Sequence, residues 1–275
     1  MVRKFCQEVL AANSLITLDS DWIGWIAKEV AEMGKCTFPS PNINGNILKG
    51  VDLVAYELMA SAVNYAYWYG HPELRPGGAN AFGMYRLLSD SYSSDWARTC
   101  DRFSRAMIKQ GYPFADRRAA HLAELAPLLQ DLADQVHGCQ SASDAIEVIV
   151  ENVPGFAGDV FRKRAFLCVM QLHRQDGRWA DSIGAVPIPA DYQVPKMLRY
   201  LQAFHYSPDL ARLVDTYKLI ASGSLEECAI RAASIVACDR IGQLSGRTTS
   251  DVDYFLWTRR KEVKGPFHLT ITTDY

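Results

Sequence analysis

Apolar residues recur at three- and four-residue intervals through most of the chain, the pattern of amphipathic helices. Ser20 reads as an N-cap, followed by Trp22, Ile23, Ile26, Ala27, Val30 and Met33 on one face. Residues 51–68 are apolar almost all round, which predicts a central helix with neighbours on most sides. Amphipathic segments follow near 80–89, 93–109, 116–137, 142–152 and 159–174, then near 192–204, 208–220, 225–244 and 250–262. Arg75-Pro-Gly-Gly78 reads as a loop, and Gly177 to Pro189 is the longest interval rich in Pro and Gly. Ser224-Leu-Glu-Glu227 has the form of a capping box, and Ser250-Asp-Val-Asp253 caps the last helix in a similar way. Only the tail, His268 to Tyr275, alternates with period two and predicts a short strand. The expected fold is therefore all-α, a single helical domain over residues 1–275, with 155–190 as the interval where two lobes would join.

Composition narrows the partners. The 275 residues are 49% hydrophobic and 22% charged, as in a globular protein. A net charge of −2 with scattered Lys and Arg argues against a nucleic acid duplex, which requires a basic face. A small nucleotide needs only a few local cations. The seven cysteines are odd in number and show no CxxC spacing, so neither a disulfide framework nor a metal site is expected. The apolar stretch at 51–69 carries Asp52, Glu57 and Asn64, which suits a core helix and not a membrane span. The first residues lack the apolar core of a signal peptide, so the expected compartment is the cytoplasm.

HExxH, GxSxG and GxxxxGK[ST] are all missing, and no GxGxxG opens a helix, which leaves carboxylates as the candidate chemistry. Asp253 and Trp257 share a helical face at i, i+4 among Val252, Tyr254, Phe255 and Leu256. A carboxylate there is desolvated, which favours its protonated form; the alternative is a capping carboxylate in the Ser250 box. Asp191 precedes Pro195 near a helix N-terminus, where backbone N–H groups favour the anion, and it also reads as a plain N-cap. Two carboxylates in opposed environments suit glycosidic chemistry. Among the cations, Arg231 stands at i, i+4 from Glu227 as an intrahelical pair, while Lys163 and Arg164 lie among apolar neighbours. Asn64-Tyr-Ala-Tyr-Trp-Tyr69 offers aromatic faces and an amide to a flat base, or simply core packing.

At these residues the chain resembles the queuosine salvage protein family, the queuosine 5′-phosphate N-glycosylase/hydrolases. The resemblance rests on Ala190-Asp-Tyr-Gln-Val-Pro-Lys196, Tyr206-Ser-Pro208, Glu227-Cys-Ala-Ile-Arg-Ala-Ala-Ser234, Val252-Asp-Tyr-Phe-Leu-Trp257 and Pro266-Phe-His268, with Lys163-Arg-Ala165 and Asn64-Tyr-Ala-Tyr-Trp68 upstream. It implies a helical fold like that of helix-hairpin-helix DNA glycosylases and metal-free, cofactor-free hydrolysis of queuosine 5′-monophosphate to queuine. It implies Asp253 and Asp191 as the acidic pair, Lys163 and Arg231 as phosphate-holding or bracing cations, and Tyr192, Tyr254, Trp257, Asn64 and Trp68 as pocket lining. The chain departs from the family pattern at Pro189, Phe166, Gln171, Leu269 and Thr270, which touch the base-stacking and polar shell. A non-catalytic protein binding a modified base is the second reading, and a helical scaffold the third.

Overall fold

The computed structural model describes residues 1–68, 80–153 and 155–275; Tyr69 and the Arg75-Pro-Gly-Gly78 loop lie outside the described residues. In chain order the elements are α1 (Val2–Ala11), β1 (Ile16–Leu18), α2 (Ser20–Ala31), β2 (Asn42–Ile43), β3 (Asn46–Ile47), α3 (Gly50–Ala62), α4 (Ala81–Ser91), α5 (Trp96–Lys109) and α6 (Ala115–Leu125). They continue with α7 (Leu129–Gly138), α8 (Ala142–Asn152), α9 (Lys163–Asp176), α10 (Gln193–Tyr200), β4 (Phe204–Tyr206), α11 (Pro208–Asp215), α12 (Leu225–Ser245) and α13 (Thr249–Arg259). The fold is thus all-α apart from two small antiparallel pairs, β1 with β4 and β2 with β3. The chain forms two compact units, one of residues 1–36 with 181–273 and Tyr275, the other of 37–180 with Asp274.

In the first unit α12 is the axis, with α1, α2, α10 and α13 packed on it. Ala229, Ala232, Ala233 and Ala237 are fully buried, and their small side chains let neighbouring helices approach. Gly242 does the same for the turn into α13: a Cβ there would meet the Arg247 carbonyl at 3.1 Å. Arg3 on α1 grips Asp239 on α12 with two hydrogen bonds of 2.8 and 3.0 Å. In the second unit α3 is the axis, buried from Leu53 to Ala62 and packed against α7 and α9.

Several boundaries differ from expectation for physical reasons. The N-cap of α2 is Asp19, whose carboxylate accepts from the Asp21 and Trp22 N–H groups; Ser20 is already helical. The segment expected at 116–137 is two helices, because Pro127 lacks an N–H and its ring collides with the preceding turn. The helix expected to reach residue 68 stops at Ala62, where its last carbonyls are claimed by buried cations described below. The tail is not a strand. Its burial alternates from His268 to Thr272, but its one bridge is Leu219 with Leu269.

Candidate active site

Asp191 sits one residue before Tyr192, the N-cap of α10, and acts as a cap itself. Its Oδ1 accepts from the Gln193 and Val194 N–H groups at 2.7 and 3.1 Å. Among the described residues its Oδ2 has no hydrogen-bond partner. The capping role and an available carboxylate oxygen therefore coexist in one side chain.

Asp253 is not a cap. The box that starts α13 is Thr248 with Asp251: the Asp251 N–H donates to Thr248 Oγ1 at 3.2 Å, and the Thr248 N–H to Asp251 Oδ2 at 3.1 Å. This box lies two residues before the expected one and takes Asp251 as its acid. Asp253 is left in the second turn, 4% exposed, between the buried Val252 and Phe255.

Arg231 forms the expected pair with Glu227, Nη1 to Oε1 at 3.1 Å, both side chains being 3% exposed. It also donates from Nε to the Ala190 carbonyl at 3.0 Å and lies 4.2 Å from the Tyr275 ring centre. Arg231 is thus a brace on the backbone beside Asp191. Because Glu227 Oε1 is drawn to Arg231, its Oε2 accepts from the Gly223 N–H at 3.2 Å and not from Ser224 as a complete capping box would require; Ser224 Oγ still caps the Glu227 N–H at 3.3 Å.

Two further cations converge here that sequence reasoning did not single out. Arg260 covers the Trp257 ring at 3.6 Å and donates from Nη1 to the Trp257 carbonyl. Burial lowers the pKa of its guanidinium, and the charges of Asp191, Tyr192 and Asp253 oppose that shift. The fields of both acids therefore meet at one side chain. Lys196 Nζ bonds the Arg260 and Val263 carbonyls, each at 3.4 Å. The signal for Arg260 was its spacing: three residues past Trp257, it lies on the indole's face of the helix. Tyr192 is buried against Phe267 at 5.2 Å, and Tyr254 and Trp257 are half-buried.

Asn64, Trp68 and Lys163 belong to the second unit. Lys163 opens α9, its own N–H capped by Asp159 Oδ2 at 2.8 Å, and its Nζ reaches the Asn64 carbonyl at 2.7 Å and Asn64 Oδ1 at 3.3 Å. It is one of three buried cations on four consecutive carbonyls at the end of α3. Arg164 Nη1 takes Ala62 at 2.9 Å, Arg118 takes Val63 and, at 2.5 Å, Tyr65, and Lys163 takes Asn64. Carbonyls left over at a helix C-terminus need donors, and cations also suit the dipole there. The Asn64–Trp68 segment is held by this charge, and Trp68 is buried. Among the described residues no group of three or more His, Cys, Asp or Glu side chains is arranged to hold a metal ion.

The first unit thus carries one acid anchored at the start of α10 and another buried on α13, a helix that packs against α10. The particular family follows from comparison with known proteins. The queuosine salvage protein family matches residues 85–273, and the chain belongs to that family. It is 27% identical to the queuosine 5′-phosphate N-glycosylase/hydrolase of Sphaerobacter thermophilus over 325 aligned positions, covering 98% of this chain and 96% of that one. The protein of the same name from Mus musculus is 29% identical over 161 residues, 48% of this chain and 47% of its own. The one from Schizosaccharomyces pombe is 34% identical over 85 residues, 30% of this chain and 25% of its own.

Proposed function

We propose that the chain hydrolyses the N-glycosidic bond of queuosine 5′-monophosphate, or a close 7-deazaguanine nucleotide, and releases queuine for salvage into tRNA. Asp191 and Asp253 are the catalytic residues. The electron pair of the C1′–N bond leaves with the base, and a water oxygen bonds C1′. One proton of that water passes by way of a carboxylate to the departing nitrogen. Asp191 is the fixed anion facing the cationic sugar, since its Oδ1 is committed to two amides while Oδ2 remains open to substrate. Asp253, buried among apolar neighbours, is the group that exchanges the proton. Tyr192, Tyr254 and Trp257 supply aromatic walls, and Arg231 braces the Asp191 turn. The reaction draws on these side chains alone, with no metal or cofactor assigned a step.

The observation that carries this reading is the half-committed carboxylate of Asp191 at the start of α10, with the buried Asp253 on α13, which packs against α10. Among the described residues no helix is long and apolar enough to cross a membrane, and all seven cysteines are free thiols. We take the cytoplasm as the place of action and a free nucleotide, not a duplex, as the partner. The test is chromatographic detection of queuine after incubation with queuosine 5′-monophosphate, queuosine and guanosine monophosphate. Release from the queuosine nucleotide supports the reading; no release from any of the three by folded protein overturns it, and binding without release would favour a modified-base binding protein.

A further inference from the structure

The net charge of −2 hides a strong segregation of charge within the second unit. Residues 96–118 hold six Lys and Arg against two acids, whereas residues 119–161 hold seven acids and neither Lys nor Arg. On α5 the helical repeat turns the cations into a row. Arg98, Arg102, Arg105 and Lys109 recur at intervals of four, three and four, all exposed, while Trp96, Cys100, Phe103 and Met107 are buried. Arg105 is paired with Asp101. Among the described residues the side chains of Arg98, Arg102 and Lys109 have neither an ion pair nor a hydrogen bond. The acids form a face of their own: Asp131 and Asp134 are exposed on α7, and Asp144, Glu147 and Glu151 on α8, which packs beside it. Among the described residues Glu147 alone of these five has an ion pair, with Arg162.

Within one copy α5 packs on α4 and α6, while α7 and α8 pack on each other and on α3 and α9; among the described residues no ion pair joins the row to the acidic face. Between copies the two are complementary. The row runs about 16 Å along α5. Packed helices such as α7 and α8 have axes about 8–10 Å apart, so one row of cations can lie along both acidic helices. Each face also offers an exposed aliphatic side chain, Ile108 on α5 and Leu128 at the start of α7. A nucleic acid backbone would use the row but leave the acidic face without a partner. A lipid surface would require a run of exposed apolar residues, which α5 lacks. A second copy accounts for both faces.

We propose that copies of this chain associate through the second unit, α5 of one copy lying against α7 and α8 of another. Every copy carries both faces, so the contact either occurs twice in a closed pair or repeats along an open chain. Exposed ion pairs are individually weak and are screened by salt, so the association is concentration-dependent and strongest at low ionic strength. It stands independently of the hydrolase reading.

The experiment is sedimentation velocity on the full chain over a range of protein concentrations, at about 20 mM and about 500 mM salt. One variant combines Arg98→Glu with Arg102→Glu. The other combines Asp134→Lys with Glu151→Lys, positions outside the first turns of α7 and α8, where acids serve the helix dipole. Thermal melting confirms that both fold. The wild type is expected to form dimers or larger species that dissociate at high salt. Each variant alone sets like charge against like and should associate at least about 10-fold more weakly. An equimolar mixture of the two variants restores opposite charges at both contacts, and association should return. A wild type that stays monomeric at low salt, variants that associate as it does, or a mixture that stays monomeric would overturn the proposal. Binding of a short RNA hairpin by a monomeric wild type, lost in the α5 variant, would overturn it too and give the row to a nucleic acid.

Discussion

Arg231 Nε and the Ala190 carbonyl lie 3.0 Å apart, so a side chain from the middle of α12 holds the backbone one residue before Asp191. The same guanidinium neutralises Glu227 and lies over Tyr275. Stability and the placement of a proposed catalytic acid thus share one side chain.

Arg231→Met leaves Glu227 buried without its cation, at a cost of about 3–5 kcal/mol. A large fall in thermal midpoint is the expected outcome. Arg231→Lys keeps a charge but cannot serve Glu227 and Ala190 together with the same fork. Its signature is a lower kcat with KM little changed, measured beside the melting curve; unchanged kcat would remove the bracing role.

Asp253→Asn should abolish queuine release, a loss of at least about 100-fold, while the protein still melts cooperatively and binds the nucleotide. Asp191→Asn keeps an amide oxygen that can accept from Gln193 and Val194, so the start of α10 survives while the anion is gone. Asp191→Ala removes the cap as well and should cost about 1 kcal/mol more of stability. Queuine quantification and urea unfolding on the three variants separate the two roles of Asp191.

Lys163→Met strips the Asn64 carbonyl of its ammonium donor in a buried setting. A loss of about 1–3 kcal/mol is expected in urea unfolding. Unchanged stability would show that Arg118 and Arg164 suffice.

Glu57 on α3 accepts from Tyr85 Oη at 2.9 Å and Gln175 Nε2 at 2.8 Å, and burial raises its pKa from 4.5 to about 7. Its proton is held more tightly in the folded state than in the unfolded chain. Its contribution is therefore complete below pH 4.5 and is lost as pH rises towards about 7. The change is about 3 kcal/mol at most. Glu57→Gln should flatten that part of the stability-against-pH curve. A slope unchanged in the variant would mean that another group titrates there.

His268 titrates in the opposite sense. Burial, aided by the Arg231 charge, lowers its pKa from 6.5 to about 3. The neutral ring's contribution is present above pH 6.5 and is lost as pH falls towards 3. His268→Phe should reduce the acid sensitivity of unfolding between those limits, followed by fluorescence in urea series at stepped pH.

Legibility from sequence followed the range of the interactions. Amphipathic helices such as α5, α8 and α12 were readable because their faces repeat locally, and the Pro127 break was on view but outweighed by periodicity. Asp253 and Asp191 stood out through their immediate neighbours. The α13 cap was misplaced by two residues because Thr248 and Ser250 are both good caps and only the fold chooses between them. The tail's alternation is real, but whether alternating burial becomes a strand depends on a partner edge that no local pattern encodes. Lys163 with Asn64, separated by 99 residues, and Lys196 with Arg260, by 64, are products of tertiary structure and were invisible.

The unit that carries both aspartates is assembled from two separated stretches of chain, 1–36 and 181–273, with Tyr275. The Arg3–Asp239 pair alone spans 236 positions. On the ribosome α1 and α2 emerge first, but the helix they pack against begins only at Leu225. At translation speeds of about 5–20 residues per second, that leaves their apolar faces waiting roughly 10 to 40 s. Residues 37–180 are contiguous and can fold in the meantime. Damage to α12 would then first be felt by the nascent chain, as aggregation or a demand for chaperones during synthesis, before any defect could be measured in the mature protein.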